Sequence, residues 1–276
     1  MEPAVSASGW RARLALGFAE RAGRTVLAER TQRGPLAVQR PFYPEGPPCH
    51  CYLLHPPGGV VGGDELEIEV GVAAGAHALI TTPGATKLYR SAGPWARQTQ
   101  ALRVAAGGTL EWLPQENIFF PGTRTRLATR VDLEPGAHFI GWEVQALGRP
   151  ANDERLTTGR ADLGLAIHRA GRPLLLDRLR ISEGAGLDGP AGLRGFPVTG
   201  TLVAVCAGPA DLAAVRELCP ADPGLLWGAT LLDDLLVARC LAPFTEPARR
   251  LLVAIWGILR PRLLSRPPGP PRIWGT

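Results

Sequence analysis

The chain has 276 residues, 45% of them hydrophobic and 20% charged, with a formal net charge of +5. That length buries a sizeable core within one domain carrying an elaborated end, and no apolar run reaches the roughly 18 residues of a membrane span, so a soluble globular protein is expected. The basic residues are spread along the chain with no Lys/Arg block and no interleaved aromatic ladder, which argues against a nucleic-acid partner.

The opening, Met1 to Trp10, has no basic segment followed by a long apolar stretch. No secretory signal is read, and a cytoplasmic location is expected. The five cysteines, Cys49, Cys51, Cys206, Cys219 and Cys240, form an odd and sparse set suited to a reducing compartment, so no structural disulfide is expected. From residue 9 to about 205, glycines and prolines punctuate short alternating or β-branched runs, which predicts a β-rich body.

Early in this body, Cys49, Cys51 and His55 fall on one face of an extended strand and His50 and Tyr52 on the other. The run Gly58-Gly59-Val60-Val61-Gly62-Gly63-Asp64 has too many glycines for a packed strand. Its backbone should take positive φ angles or approach something closely, with Asp64 bonding the turn's own amides. Lys87 is the single lysine among 30 basic residues. It follows the loop Pro83-Gly84-Ala85-Thr86, where it could anchor a carboxylate within the protein, or survive by chance.

Three stretches opening at Ala74, Gly107 and Pro135 repeat one theme, a small-residue turn followed by an apolar strand, at intervals of about 30 residues. Stacked strand layers produce such spacing, so the expected fold is mainly β, with a β-helix or solenoid-like body and about two α-helices in the C-terminal third. A sandwich with long hairpins is the alternative. Residues 209–219 read as a short amphipathic helix within a helical part spanning 206–262. A stronger helix starts with Thr245 as N-cap and Pro247 in its first turn, and carries Leu251, Leu252, Ile255, Trp256 and Leu259 on one face. That stripe must pack on the core or on a partner. The Pro-rich tail, 263–276, should lie extended, with Ile273 and Trp274 as an anchor on the body or on a partner.

The sequence holds no phosphate loop, nucleophile elbow, His-Glu-x-x-His or strand-associated Gly-x-Gly-x-x-Gly. Nor does it hold a Cys-x-x-Cys pair of structural-zinc type. An enzyme built on this body would be a metal-dependent hydrolase or a β-solenoid acyltransferase, and no hexapeptide repeat or zincin spacing supports either. A purely structural subunit of another assembly is the other alternative.

Several long motifs occur in order. Gly34 to Gly46 reads Gly-Pro-Leu-Ala-Val-Gln-Arg-Pro-Phe-Tyr-Pro-Glu-Gly, and Cys49 to Asp64 reads Cys-His-Cys-Tyr-Leu-Leu-His-Pro-Pro-Gly-Gly-Val-Val-Gly-Gly-Asp. Leu79 to Ser91, Leu110 to Glu116, Gly141-Trp142-Glu143, Gly148-Arg149-Pro150, Pro173 to Arg178 and Pro271-Arg272-Ile273-Trp274 follow. Over nearly the whole chain this resembles the urease accessory proteins called UreD or UreH. The resemblance implies a non-catalytic chaperone that binds urease apoprotein and, with UreF and the GTPase UreG, which it reaches through UreF, delivers nickel to the urease active site. It also implies a β-helix-like body whose helical part docks UreF in a dimeric assembly, and an internal water-filled tunnel.

On that reading, Cys49, Cys51 and His55 could hold Ni(II) transiently, or the two thiols could be core residues and His55 could fix the turn before Pro56. Nickel would be in transit, with no tightly bound cofactor. Asp64 could line the metal path rather than only bond its turn, Glu143 and Asp177 stand in family-like motifs, and acidic groups inside a passage replace part of a cation's water shell. Asp177 could equally pair with Arg178 or Arg149 for structure. A cation at Lys87 would repel nickel, which takes that residue off the metal route.

Overall fold

The computed structural model describes residues 9–275, so residues 1–8, on which most of the leader argument rests, lie outside the described residues. The strands are β1 (Arg11–Arg21), β2 (Arg24–Arg33), β3 (Ala37–Val38), β4 (Cys49–Leu54), β5 (Glu65–Val72) and β6 (His77–Thr81). Next come β7 (Thr86–Leu88), β8 (Ala96–Val104), β9 (Thr109–Trp112), β10 (Asn117–Phe119), β11 (Arg124–Leu133) and β12 (His138–Arg149). They continue with β13 (Glu154–Arg155), β14 (Arg160–Arg169), β15 (Arg172–Ser182), β16 (Val198–Ala204), β17 (Leu226–Leu232) and β18 (Leu235–Ala242). Two helices, α1 (Pro209–Arg216) and α2 (Thr245–Leu264), complete the fold.

The strands form two sheets, one of seven strands in the order β15-β14-β11-β8-β5-β1-β2 and a larger one running β17-β18-β16-β12-β9-β6-β4-β3. Chain crossing between them builds a β-solenoid of about 4 turns. Its parallel ladders run β1-β5-β8-β11-β14 in one sheet and β4-β6-β9-β12 in the other. The sequence repeat has a direct counterpart here. Gly75, Gly107 and Gly136 all have positive φ, and their turns stack by hydrogen bonds from Gly75 N to Gly107 O, 3.2 Å, and from Gly107 N to Gly136 O, 3.0 Å. A side chain at φ near +70° is strained, so glycine sets the turn that each solenoid layer repeats.

Period-2 alternation turns each strand of the larger sheet into a two-faced element. The inner face packs on the other sheet around Leu14, Val70, Leu102, Leu110 and Val131. The outer face packs under the helices around Leu79, Ile140, Val144, Leu202 and Trp256. The result is three layers: sheet, sheet, helices.

Four expectations need correction. Residues 206–262 are not all helical, because β17 and β18 form an antiparallel hairpin there; its turn is Asp233-Asp234, with Asp233 at φ 53°, a turn chemistry that Asp tolerates. The first helix is shorter than 209–219, ending at Arg216. Helix α2 is capped by extended Phe244 at φ −140°, so Thr245 is its first helical residue. The tail carries no regular structure from 266 to 271 but closes in a 3-10 turn at Arg272–Gly275. None of the helices among the described residues is long and apolar enough to cross a membrane.

Candidate polar passage between the sheets

Inward positions of β8 are Ala96, Gln98, Gln100 and Leu102, so two amides interrupt an otherwise apolar face. On β12 the inward residues include Phe139, Gly141, Glu143, Gln145 and Leu147, and again two polar side chains occupy the middle. These rows meet. Thr129 of β11 donates to Gln100 Oε1 at 2.9 Å and also lies in hydrogen-bond contact with Glu143. Gln145 donates to Glu143 Oε2 at 3.2 Å and accepts from Asn117 at 3.1 Å. Buried amides and hydroxyls persist in a core when they satisfy one another, as here.

Glu143 lies in the wall shared by two cavities. One, of about 460 Å³, is lined by Gln145, Asp177, Thr199, Thr201 and Arg239; the other, of about 220 Å³, by His55, Gly58, Gly59, Gln98, Gln100 and Asn117. The Glu143 carboxyl forms no ion pair among the described residues. Burial lifts it to about 7, against its hydrogen bonds with Thr129 and Gln145 and with a further push from the Asp177 charge. Burial also depresses His55, opposed by Asp64.

The structure thus brings Glu143, Asp177 and His55 along one line of cavities, and it separates other residues the sequence had grouped. Cys49 and Cys51 sit side by side on β4 with no solvent exposure. His55 does not join them, because β4 ends at Leu54 and the chain turns, Gly58 N donating to His55 O at 3.1 Å. Among the described residues, no group of three or more His, Cys, Asp or Glu is placed to hold a metal ion. Asp177 pairs with Arg239 at 2.7 Å rather than with Arg178 or Arg149. Adjacent strand residues point to opposite faces, so Arg178 instead reaches Asp162, while Arg149 reaches Glu154.

Asp64 is buried, and its carboxylate accepts from Trp10 N at 2.8 Å and Val61 N at 2.9 Å. It therefore closes the glycine-rich turn. Gly58 and Gly63 have positive φ. Gly59 and Gly62 are held by close approach: a Cβ on Gly59 would lie 2.3 Å from the Tyr89 ring, and one on Gly62 2.1 Å from Ser91 Oγ. Both accounts of the glycines apply, at different positions. Lys87 is exposed on β7 and makes no ion pair among the described residues. The loop uses its backbone instead, Val60 N donating to Lys87 O at 2.7 Å.

The residues expected to touch a partner are mostly interior. Leu251, Leu252, Ile255 and Trp256 are buried against the outer face of the larger sheet, so this stripe is part of the core. Trp274 packs on Trp142 and Trp256, with ring centroids 5.5 and 5.9 Å apart, and donates to Thr81 Oγ1 at 2.9 Å. The tail is anchored on the body, with Ile273 half-buried beside it.

Sequence reasoning missed the ion network beneath α2. Arg260, with no solvent exposure, bonds Glu111 at 2.9 Å and Glu45 at 2.6 Å, and also the carbonyl of Pro267. His77 lies 2.7 Å from Glu111, His50 lies 2.7 Å from Glu45, and Trp256 Nε1 donates to Glu111 at 2.6 Å. The available signal was Arg260 four residues after Trp256 on the apolar stripe, with Glu111 inside a buried Leu-Glu-Trp-Leu run.

Residues 10–275 match the family model described as UreD urease accessory protein. A urease accessory protein UreD from Pseudomonas putida is 50% identical over 272 residues, covering 98% of this chain and 95% of the relative. The UreD of Pseudomonas entomophila is 49% identical, covering 100% and 98%, and that of Alcanivorax borkumensis 47% identical, covering 97% and 93%.

Proposed function

Since the chain belongs to the UreD family of urease accessory proteins, we propose that it is a non-catalytic scaffold that binds urease apoprotein and passes nickel inward through its own body. UreF would dock on the chain and pair two copies, UreG would reach it through UreF, and GTP chemistry would belong to UreG. The assembly would work in the cytoplasm. Nickel is cargo on this reading, not a resident cofactor.

The observation that carries the passage is Glu143, an unpaired carboxyl in the wall common to two cavities. At neutral pH a carboxyl held near 7 is substantially protonated, which limits the cost of burying it in an empty passage. A divalent cation in the passage favours the ionised form, so Glu143 loses its proton as the cation comes alongside. The amide oxygens of Gln100, Gln145 and Asn117 then replace part of the water shell without the charge density that would trap the ion. His55 on the far cavity, depressed by burial, presents a neutral imidazole as the next donor.

The test uses cells carrying the urease genes and nickel, with this gene present, deleted, or replaced by E143A. Recovery of UreF and apo-urease on E143A, with nickel-poor and inactive urease, is the expected result. Nickel-replete urease with E143A overturns the passage. Full urease activity after deletion, with neither partner recovered by the wild-type chain, overturns the accessory role itself.

A further inference from the structure

Away from the passage, β4 places two thiols where they face each other. Cys49 and Cys51 project into the core between the sheets, neither has any solvent exposure, and their Sγ atoms are 4.0 Å apart. Neither lines the cavities that Glu143 joins. Tyr43, half-buried in the preceding loop, packs against the same core, and the guanidinium of Arg24 lies 4.8 Å over the Tyr43 ring.

We propose that Cys49 and Cys51 form a two-coordinate site for a soft monovalent cation of the copper(I) class, separate from the nickel route. Three observations converge on that ligand. Sulfur donors select soft ions. Sulfurs about 2.3 Å from one ion span about 4.0 Å when the angle between them is about 120°, and about 4.6 Å when they are in line. The observed separation therefore needs only a small opening of the pair. Ligand number narrows the choice further, since zinc and nickel need donors beyond two, and no third His, Cys, Asp or Glu joins the pair among the described residues.

Binding replaces one thiol proton, which leaves to solvent, with a sulfur–metal bond while the second sulfur donates a lone pair, so a monovalent ion leaves the buried site neutral and nothing is oxidised or reduced.

Silver(I), a redox-inert probe of this class, tests the site in the full chain with the exposed Cys206 and Cys219 replaced by serine. One equivalent of silver per chain is expected, undisplaced by excess nickel(II), abolished by C49S or C51S and retained by C240S. In the parent chain, silver should slow the labelling of Cys49 and Cys51 during prolonged alkylation that samples transient opening of the core, read peptide by peptide by mass spectrometry against the silver-free chain, which does not depend on the serine variants folding. Persistence of the equivalent in folded C49S and C51S, displacement by nickel, or silver uptake only after the chain unfolds would each overturn the proposal.

Discussion

Two carboxyls on neighbouring strands of one sheet meet opposite fates. Glu111 on β9 stands opposite Ile140 on β12, and Glu143 lies three residues further along β12, so their side chains leave opposite faces of the sheet. Glu111 enters the helix-covered face and meets Arg260, His77 and Trp256. Burial would raise it, but the His77 and Arg260 interactions more than cancel that and hold it low and ionised. Glu143 enters the inter-sheet face, meets a hydroxyl and an amide but no cation, and rises to about 7. A buried carboxyl with a full set of cationic partners stays ionised, whereas one without a counter-ion shifts towards its neutral form.

The largest effect should follow from breaking the paired side. R260A leaves Glu111 and Glu45 buried without their cation and should cost about 3–5 kcal/mol, read by urea denaturation, with loosening of the tail that Arg260 holds at Pro267. The pH sign is fixed by the acids. Burial would raise Glu45, yet His50 and Arg260 hold it at about 2. With Glu45 and Glu111 both lowered, their stabilisation is present above their ordinary range and is lost as pH falls towards about 2. R260A should flatten that acid limb, and an unchanged limb would show that the network does not carry it.

The unpaired side has the opposite sign. Raised in the folded state, Glu143 contributes stability that is full below its ordinary value and lost as pH rises through about 7. E143Q keeps the shape and removes the charge, so between pH 5 and 8.5 it should gain on the order of 2 kcal/mol relative to wild type. A parallel pair of curves would mean that Glu143 is not raised. Asp64 sits between the two extremes, since its partners are backbone amides. D64A should cost about 1–2 kcal/mol in thermal or chemical melts, and its effect on urease activation should scale with that loss of folded protein.

Which of these roles was visible beforehand follows from the range of the interaction that creates it. The solenoid was legible because turn glycines at a constant interval are local signals, and Gly75, Gly107 and Gly136 stack as that interval requires. The apolar stripe of α2 was equally local, although the stripe itself does not say whether it faces a core or a partner. Hairpin β17–β18 was missed because Asp-Asp is a weaker turn signal than the surrounding expectation of helix. Glu143 and Asp177 entered as candidates through family-like motifs, whereas Gln98, Gln100 and Thr129, which share the inter-sheet polar cluster with Glu143, did not, because polar residues at inward strand positions carry meaning only once the facing strand is known. Arg260 and Glu111 are 149 residues apart, and no periodicity links them. Grouping Cys49, Cys51 and His55 failed for a simpler reason, which is that strand parity stops applying where the strand ends.

The smallest expected effect is the sharpest test of the contrast. Asp177 pairs with Arg239 at a half-exposed position, where such ion pairs contribute only about 0.2–1 kcal/mol, so D177N should barely move the melt. It should nevertheless move Glu143. Asp177 is the charge that pushes Glu143 further up, and its neutralisation should lower the Glu143 titration, read by NMR of a side-chain-labelled glutamate, while leaving the low-pH behaviour of Glu45 and Glu111 unchanged. A drop confined to Glu143 would establish that the two carboxyls line one electrostatic path. A stability loss without that drop would make Asp177 a structural partner of Arg239 alone, and would leave Glu143 to desolvation by its own walls.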